Sequence, residues 1–144
     1  MRAGLSFIEV KRFEYEEPYH TEIHLTASNG DFSGSLRFYC NADDLKTLAS
    51  QLEDFPRSST DEVEFEIGSE NPKWAYYLLF KVFVKDFEGH SAIRIRINLN
   101  ETSTGISDFC ITANPADINK LGSHFRELFE WKSREFRWAP PETV

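Results

Sequence analysis

The sequence predicts an α+β domain: about seven antiparallel strands laid out as meanders, with two amphipathic helices packed on one face. Three observations carry this. Residues 74–99 read as a β-hairpin of two apolar strands around a short polar turn. Two later stretches, beginning at Asn41 and Asn114, place apolar residues at helical spacing behind good helix starts. Finally, residues 42–50 (Ala-Asp-Asp-Leu-Lys-Thr-Leu-Ala-Ser) are echoed 73 residues later by 115–123 (Pro-Ala-Asp-Ile-Asn-Lys-Leu-Gly-Ser). The echo fits an internal βββα duplication with residues 62–67 as an addition. Capping chemistry selects the same residues at unrelated helix starts, so chance resemblance stays open as well.

The central hairpin is specified most firmly. Ile93, Ile95, Ile97 and Leu99 fall on one face, Arg94, Arg96 and Asn98 on the other. Its first strand, residues 74–84, is apolar on both faces near its start, as expected of a strand covered on both sides. Gly89 supplies the turn. A one-residue slip would turn the isoleucine row to water.

In chain order, residues 5–13 read as a first strand. Leu5 and Phe7 are out of phase with Ile8 and Val10, which suggests a bulge. Residues 19–27 make a second strand, with Thr21, Ile23, Leu25 and Ala27 inward. Asn29-Gly30 is a strong hairpin signal into a third, with Leu36, Phe38 and Cys40 in phase. Asn41 caps a helix whose buried stripe is Leu45, Leu48, Ala49, Leu52 and Phe55, stopped by Pro56. Residues 62–67 alternate Glu with Val63, Phe65 and Ile67. Residues 106–113 form the last strand. Asn114-Pro115 opens a helix with Ile118, Leu121, Phe125 and Leu128 buried. A single domain is expected over 1–132, and residues 133–144 are expected as a basic C-terminal tail with loose final residues. Trp131, Phe136 and Trp138 near it either anchor an interface or fold back over the sheet, the latter being favoured.

Composition excludes several classes. No apolar run is long enough for a membrane helix. The start lacks a signal-peptide apolar segment, so a cytoplasmic protein is expected. Cys40 and Cys110 are too few for a disulfide framework and are expected to be reduced thiols facing different ways. The net charge of −8 is concentrated in residues 1–72. Such a balance repels phosphate, so no nucleic-acid partner is expected.

Candidate chemistry is sparse. His20, Glu22 and His24 share one strand face, a weak metal pattern better read as a solvated face. Asp86, Glu88, His90 and Ser91 hold acid, base and hydroxyl in one turn, but neighbours at a hairpin tip rarely converge. Phosphate-binding glycine loops are absent from the sequence. No cofactor, metal or enzymatic activity is expected. Glu62, Glu64 and Glu66 would pair with Arg94 and Arg96 if their strands were neighbours, and otherwise form a contact face for a basic protein.

Residues 19–20, the stretch Leu25-Thr26-Ala27-Ser28-Asn29-Gly30-Asp31-Phe32-Ser33-Gly34, Gly89-His90-Ser91-Ala92 and residues 115–122 together resemble a family of small bacterial proteins, some of them WapI-type immunity proteins. The likeness spans roughly residues 5–130 and rests on turns and caps. It implies a protein that neutralises a cognate toxin domain by binding it, with acids as contacts: Glu62, Glu64 and Glu66, with Glu14, Glu16 and Glu17. The alternative is a ligand-binding domain of the same fold, with a cavity between sheet and helices lined by Tyr76, Tyr77 and Phe83.

Overall fold

A computed structural model describes residues 6–141. Leu5 and the final residues expected to be loose, 142–144, lie outside the described residues. The elements are β1 (Ser6–Glu14), β2 (His20–Asn29), β3 (Ser33–Asn41), α1 (Ala42–Glu53), β4 (Glu62–Gly68), β5 (Tyr77–Val84), β6 (Ser91–Asn98), β7 (Ile106–Ala113), α2 (Pro115–Phe129) and β8 (Glu135–Trp138). The architecture is α+β, as expected, with the strands divided between two four-stranded antiparallel sheets.

The first sheet has the order β3-β2-β1-β8 and the second β4-β5-β6-β7. Reading the second from its other edge gives β7-β6-β5-β4, so the halves correspond strand for strand. The repeat is βββαβ, longer than the sequence suggested. β4 follows α1 as β8 follows α2, and each of these last strands crosses to the other half's sheet. The 73-residue offset continues into them: Val63 corresponds to Phe136 and Phe65 to Trp138. The stretch expected as a tail therefore contributes an edge strand. Phe136 and Trp138 are buried, and the Trp138 indole N–H donates to the Asp117 carbonyl at 2.9 Å.

Inward residues of both sheets and of both helices form one core, from Ile8, Val10, Ile23 and Phe38 through Leu45, Leu52, Phe80 and Ile95 to Ile118 and Leu128. The helices cross closely. A Cβ on Gly122 would lie 2.8 Å from the Glu53 backbone nitrogen and 3.0 Å from the Ala49 carbonyl oxygen, so only glycine fits there. Arg126 of α2 meets Glu53 of α1 at 2.7 Å.

Two local expectations change. β1 pairs with β2 in continuous register from Ser6 to Glu14, with no bulge. Its inward row is Ile8, Val10 and Arg12, and the arginine in third place hid the phase. β5 begins at Tyr77, three residues later than expected. Trp74, Ala75 and Tyr76 instead belong to a loop. Asn100 holds it by donating its amide to the Ser69 carbonyl at 2.8 Å and to the Trp74 carbonyl at 3.0 Å.

Candidate binding surface

The outer face of the first sheet is built by alternation. Phe13, Glu22 and Tyr39 lie in one cross-strand row, and Lys11, His24 and Arg37 in the next. Large aromatic residues therefore stand where a solvated face would ordinarily carry polar ones. Phe13, Tyr15 and Tyr39 are 42%, 43% and 44% exposed. They pack in pairs: Phe13 against the His24 ring at 4.4 Å, and Tyr15 against Tyr39 at 4.6 Å. Between the pairs Glu22 accepts from His24 at 2.6 Å and approaches Arg37 at 3.7 Å. The result is an aromatic platform of rings tilted by 41° and 48° within each pair, with Lys11 and the exposed Arg37 at its side.

Beside the platform a cleft of about 550 Å³ opens between the β1–β2 turn, the end of β3, the start of α1 and the β4–β5 loop. Tyr15 and Tyr39 belong to both. Trp74 and Tyr76 form the opposite wall. The Tyr76 hydroxyl accepts the Tyr39 backbone N–H at 3.3 Å, which ties that wall to β3. Gly68, at φ +76°, allows the loop in: a Cβ there would lie 2.1 Å from the Tyr76 carbonyl oxygen. Glu16, Asp44 and Glu66 supply the cleft's carboxylates.

Of the six acids expected as contacts, Glu16 and Glu66 come together on the cleft, and the six take different partners. Glu62 pairs with Lys81 at 3.3 Å, Glu64 lies opposite Lys81 in register, and Glu66 accepts the Tyr77 hydroxyl. Burial, and next that bond, push the Tyr77 phenol up to about 12. β5 separates the glutamates of β4 from β6, so Arg94 and Arg96 find other partners: Asp108 for both, and Glu70 for Arg96. Glu14 approaches Arg134 at 3.7 Å and Glu16 approaches His20 at 3.3 Å. Glu17 turns inward to the buried Arg12 guanidinium at 2.8 Å, which makes it an internal counter-ion.

The other sequence candidates are structural. His20 and His24 each take a glutamate, and no group of three or more His, Cys, Asp or Glu among the described residues could hold a metal ion. His90 and Asp86 do converge, at 2.8 Å, but the Ser91 hydroxyl donates to the Gly89 carbonyl instead. The Asp86 carboxylate, held below its ordinary range by the His90 hydrogen bond, also accepts the backbone N–H groups of Glu88 and His90 and so organises the turn. The interior leaves a void of only about 20 Å³, too small for a ligand. Tyr77 and Phe83 lie on the opposite side of β5 from the core row Leu78, Phe80 and Val82, so these residues do not line the cavity expected between sheet and helices. Only Tyr76 of its three residues lines the external cleft.

Sequence reasoning missed the platform and the cleft. The available signal was Phe13 and Tyr39, each an aromatic residue at an outward position of a strand. Trp74 and Asp44 gave none, because the cleft joins four segments distant in sequence.

No family model matches the chain, and no curated protein is similar to it. Two solved plant structures share the fold. WHY1 from Arabidopsis thaliana is 9% identical with a TM-score of 0.51, covering 88% of this chain and 84% of that one. The plant transcriptional regulator PBF-2 is 10% identical with a TM-score of 0.52, covering 88% and 76%. These likenesses correct the expectation of a toxin-neutralising protein. That expectation rested on turns and caps, which are features of the fold, and the fold is shared with a transcriptional regulator. The toxin partner falls with it, and so does the exclusion of nucleic acid as a partner. That exclusion rested on net charge, which says nothing about an aromatic platform.

Proposed function

We propose that this chain is a non-enzymatic binding protein of the regulatory kind, and that it holds single-stranded nucleic acid by stacking bases on the outer face of the first sheet. The observation that carries this is the exposed aromatic cluster of Phe13, Tyr15 and Tyr39, with the His24 ring packed at a tilt against Phe13. Flat rings open to water take unstacked bases, each contributing on the order of 1–3 kcal/mol, and a paired duplex hides those faces. The fold shared with a plant transcriptional regulator is in keeping with a nucleic-acid ligand. Lys11 and Arg37 can meet a phosphate or two. The −8 net charge opposes a longer electrostatic track, so stacking dominates. A reducing compartment such as the cytoplasm fits two free thiols, one of them exposed.

The test is anisotropy titration of labelled single-stranded oligonucleotides at several salt concentrations. Saturable binding with a shallow salt dependence, equivalent to about two phosphate contacts, is expected. Combined Phe13→Ala and Tyr39→Ala substitution should weaken it at least tenfold, since two stacked bases are lost. Absence of binding to any single strand, or binding that the double substitution leaves intact, would overturn this reading.

A further inference from the structure

We propose that the cleft between Tyr39 and Trp74 is a second site adjoining the platform, with which it shares Tyr15 and Tyr39, and that it binds an organic ammonium cation with apolar substituents. The walls are the first reason. Tyr15, Tyr39, Trp74 and Tyr76 surround the opening, and Trp74 is 56% exposed. Aromatic faces carry negative potential and attract a cation that sheds water easily, with quaternary ammonium the best-suited kind.

Charge is the second reason. Among the described residues Glu16, Asp44 and Glu66 line the cleft, and neither Lys nor Arg does. Of the described lining residues only His20 can carry positive charge, and it already faces Glu16 at 3.3 Å. Asp44 has a partner in the Asn41 backbone N–H at 3.3 Å, and Glu66 has one in the Tyr77 hydroxyl. Each carboxylate offers about four lone-pair sites, so both keep acceptor capacity toward the opening. Phosphates and carboxylates are repelled by such a lining. A bare metal ion is excluded by geometry, since no cluster of ligating side chains forms among the described residues. Large, weakly hydrated cations remain.

Preorganisation is the third reason. The loop carrying Trp74 is fixed by the two Asn100 hydrogen bonds, by the Trp74 N–H donating to the Asn71 carbonyl at 2.9 Å, and by the close approach that Gly68 permits. The aromatic wall therefore stands in place before a ligand arrives, which lowers the ordering cost of binding. A volume of about 550 Å³ accommodates a trimethylammonium head with a short tail.

The experiment compares choline with its neutral isostere 3,3-dimethylbutan-1-ol, titrated into the full chain and followed by tryptophan fluorescence and NMR shifts. Choline is expected to saturate in the millimolar range, and the isostere to bind about tenfold more weakly or not at all. Trp74→Ala, and separately Glu66→Gln with Asp44→Asn, should each weaken choline severalfold. Trp74 is an exposed loop residue, so its loss leaves the core packed. A trimethyl-lysine peptide is the third ligand: tighter binding than choline assigns the cation to a protein side chain, and weaker binding assigns it to a free small molecule. Equal binding of choline and the isostere would reduce the cleft to an apolar pocket and overturn the proposal. So would a lack of saturation by choline, or choline binding that survives Trp74→Ala. This site does not depend on the nucleic-acid reading. Phe13→Ala should reduce oligonucleotide binding and leave choline binding unchanged, so the two can fail separately.

Discussion

Arg12 sits where an apolar residue is expected, third in the inward row of β1. Its side chain is 2% exposed. It donates to the Thr21 hydroxyl at 2.8 Å, to the Leu128 and Phe129 carbonyls at 2.8 and 2.9 Å, and to Glu17 at 2.8 Å. Its guanidinium also lies 3.9 Å from the Trp131 ring centroid. A planar five-donor group can serve all these at once, and a lysine cannot. Two of the acceptors are the last carbonyls of α2; that of Leu128 also takes the Trp131 N–H at 3.3 Å, while Arg12 serves that of Phe129, so Arg12 is a side-chain cap that joins α2 to the first sheet. Burial lowers its pKa, and the ion pair with Glu17 opposes that shift and keeps the group charged. Substitution Arg12→Met keeps the packed stem but strands Glu17 and the Phe129 carbonyl. The expected loss is about 3–5 kcal/mol, read as a lower urea midpoint with an unchanged slope.

At the scale of elements, the second sheet carries its charges as a ladder on its outer face. Asp108 of β7 accepts from Arg94 at 3.0 and 2.8 Å and from Arg96 at 3.1 Å, while Glu70 accepts from Arg96 and from Asn98 at 2.8 Å. Hydrogen bonds from Arg94 hold the Asp108 carboxyl below its ordinary value, and those from Arg96 do the same for Glu70. A carboxyl whose folded pKa is depressed stabilises the fold fully above its unfolded pKa, near 4, and loses that contribution as pH falls through the folded value. Asp108→Asn should therefore cost at most about 1 kcal/mol at neutral pH, because the pair is partly screened. The cost should vanish in acid, where the native aspartate is protonated too. Denaturation curves at neutral pH and well below pH 4 check both halves. Sequence alternation placed Arg94 and Arg96 on one face, but strand order decided their partners. With β5 between β4 and β6, the glutamates of β4 could not reach them, and nothing local to either strand records that. β8 was obscured for a related reason. Four residues, Glu135-Phe136-Arg137-Trp138, are too short a run to show a period alone, and only the match to Glu62-Val63-Glu64-Phe65 reveals them. The helices, the β5–β6 hairpin and the inward rows of β2 and β3 were legible because each encodes its pattern within itself. The cleft was not, since its four walls come from four segments.

The whole molecule behaves as two βββαβ units that exchange their last strands across an approximate two-fold axis. Residues close to such an axis meet their own counterparts, and the helix crossing shows this. Glu53 corresponds to Arg126, and the two form an ion pair; Ala49 corresponds to Gly122, and the two touch. A chain divided between Pro72 and Lys73 would yield one unit per fragment, each missing the edge strand that the other supplies. Neither fragment can complete its sheet alone, and each would expose half of a shared core, so both should be largely unfolded in isolation. Pairing with an identical copy is also disfavoured. Two copies of residues 1–72 would set Glu53 against Glu53 and a methyl group where only glycine fits, and two copies of 73–144 would set Arg126 against Arg126. The mixed pair restores the Glu53–Arg126 bridge and the close crossing at Gly122. Mixing equimolar fragments should therefore regain the circular dichroism and one-to-one mass of the intact fold, while each fragment alone stays disordered. A stable monomer or homodimer from either fragment would show that the exchanged strands and the asymmetric crossing are dispensable to the architecture.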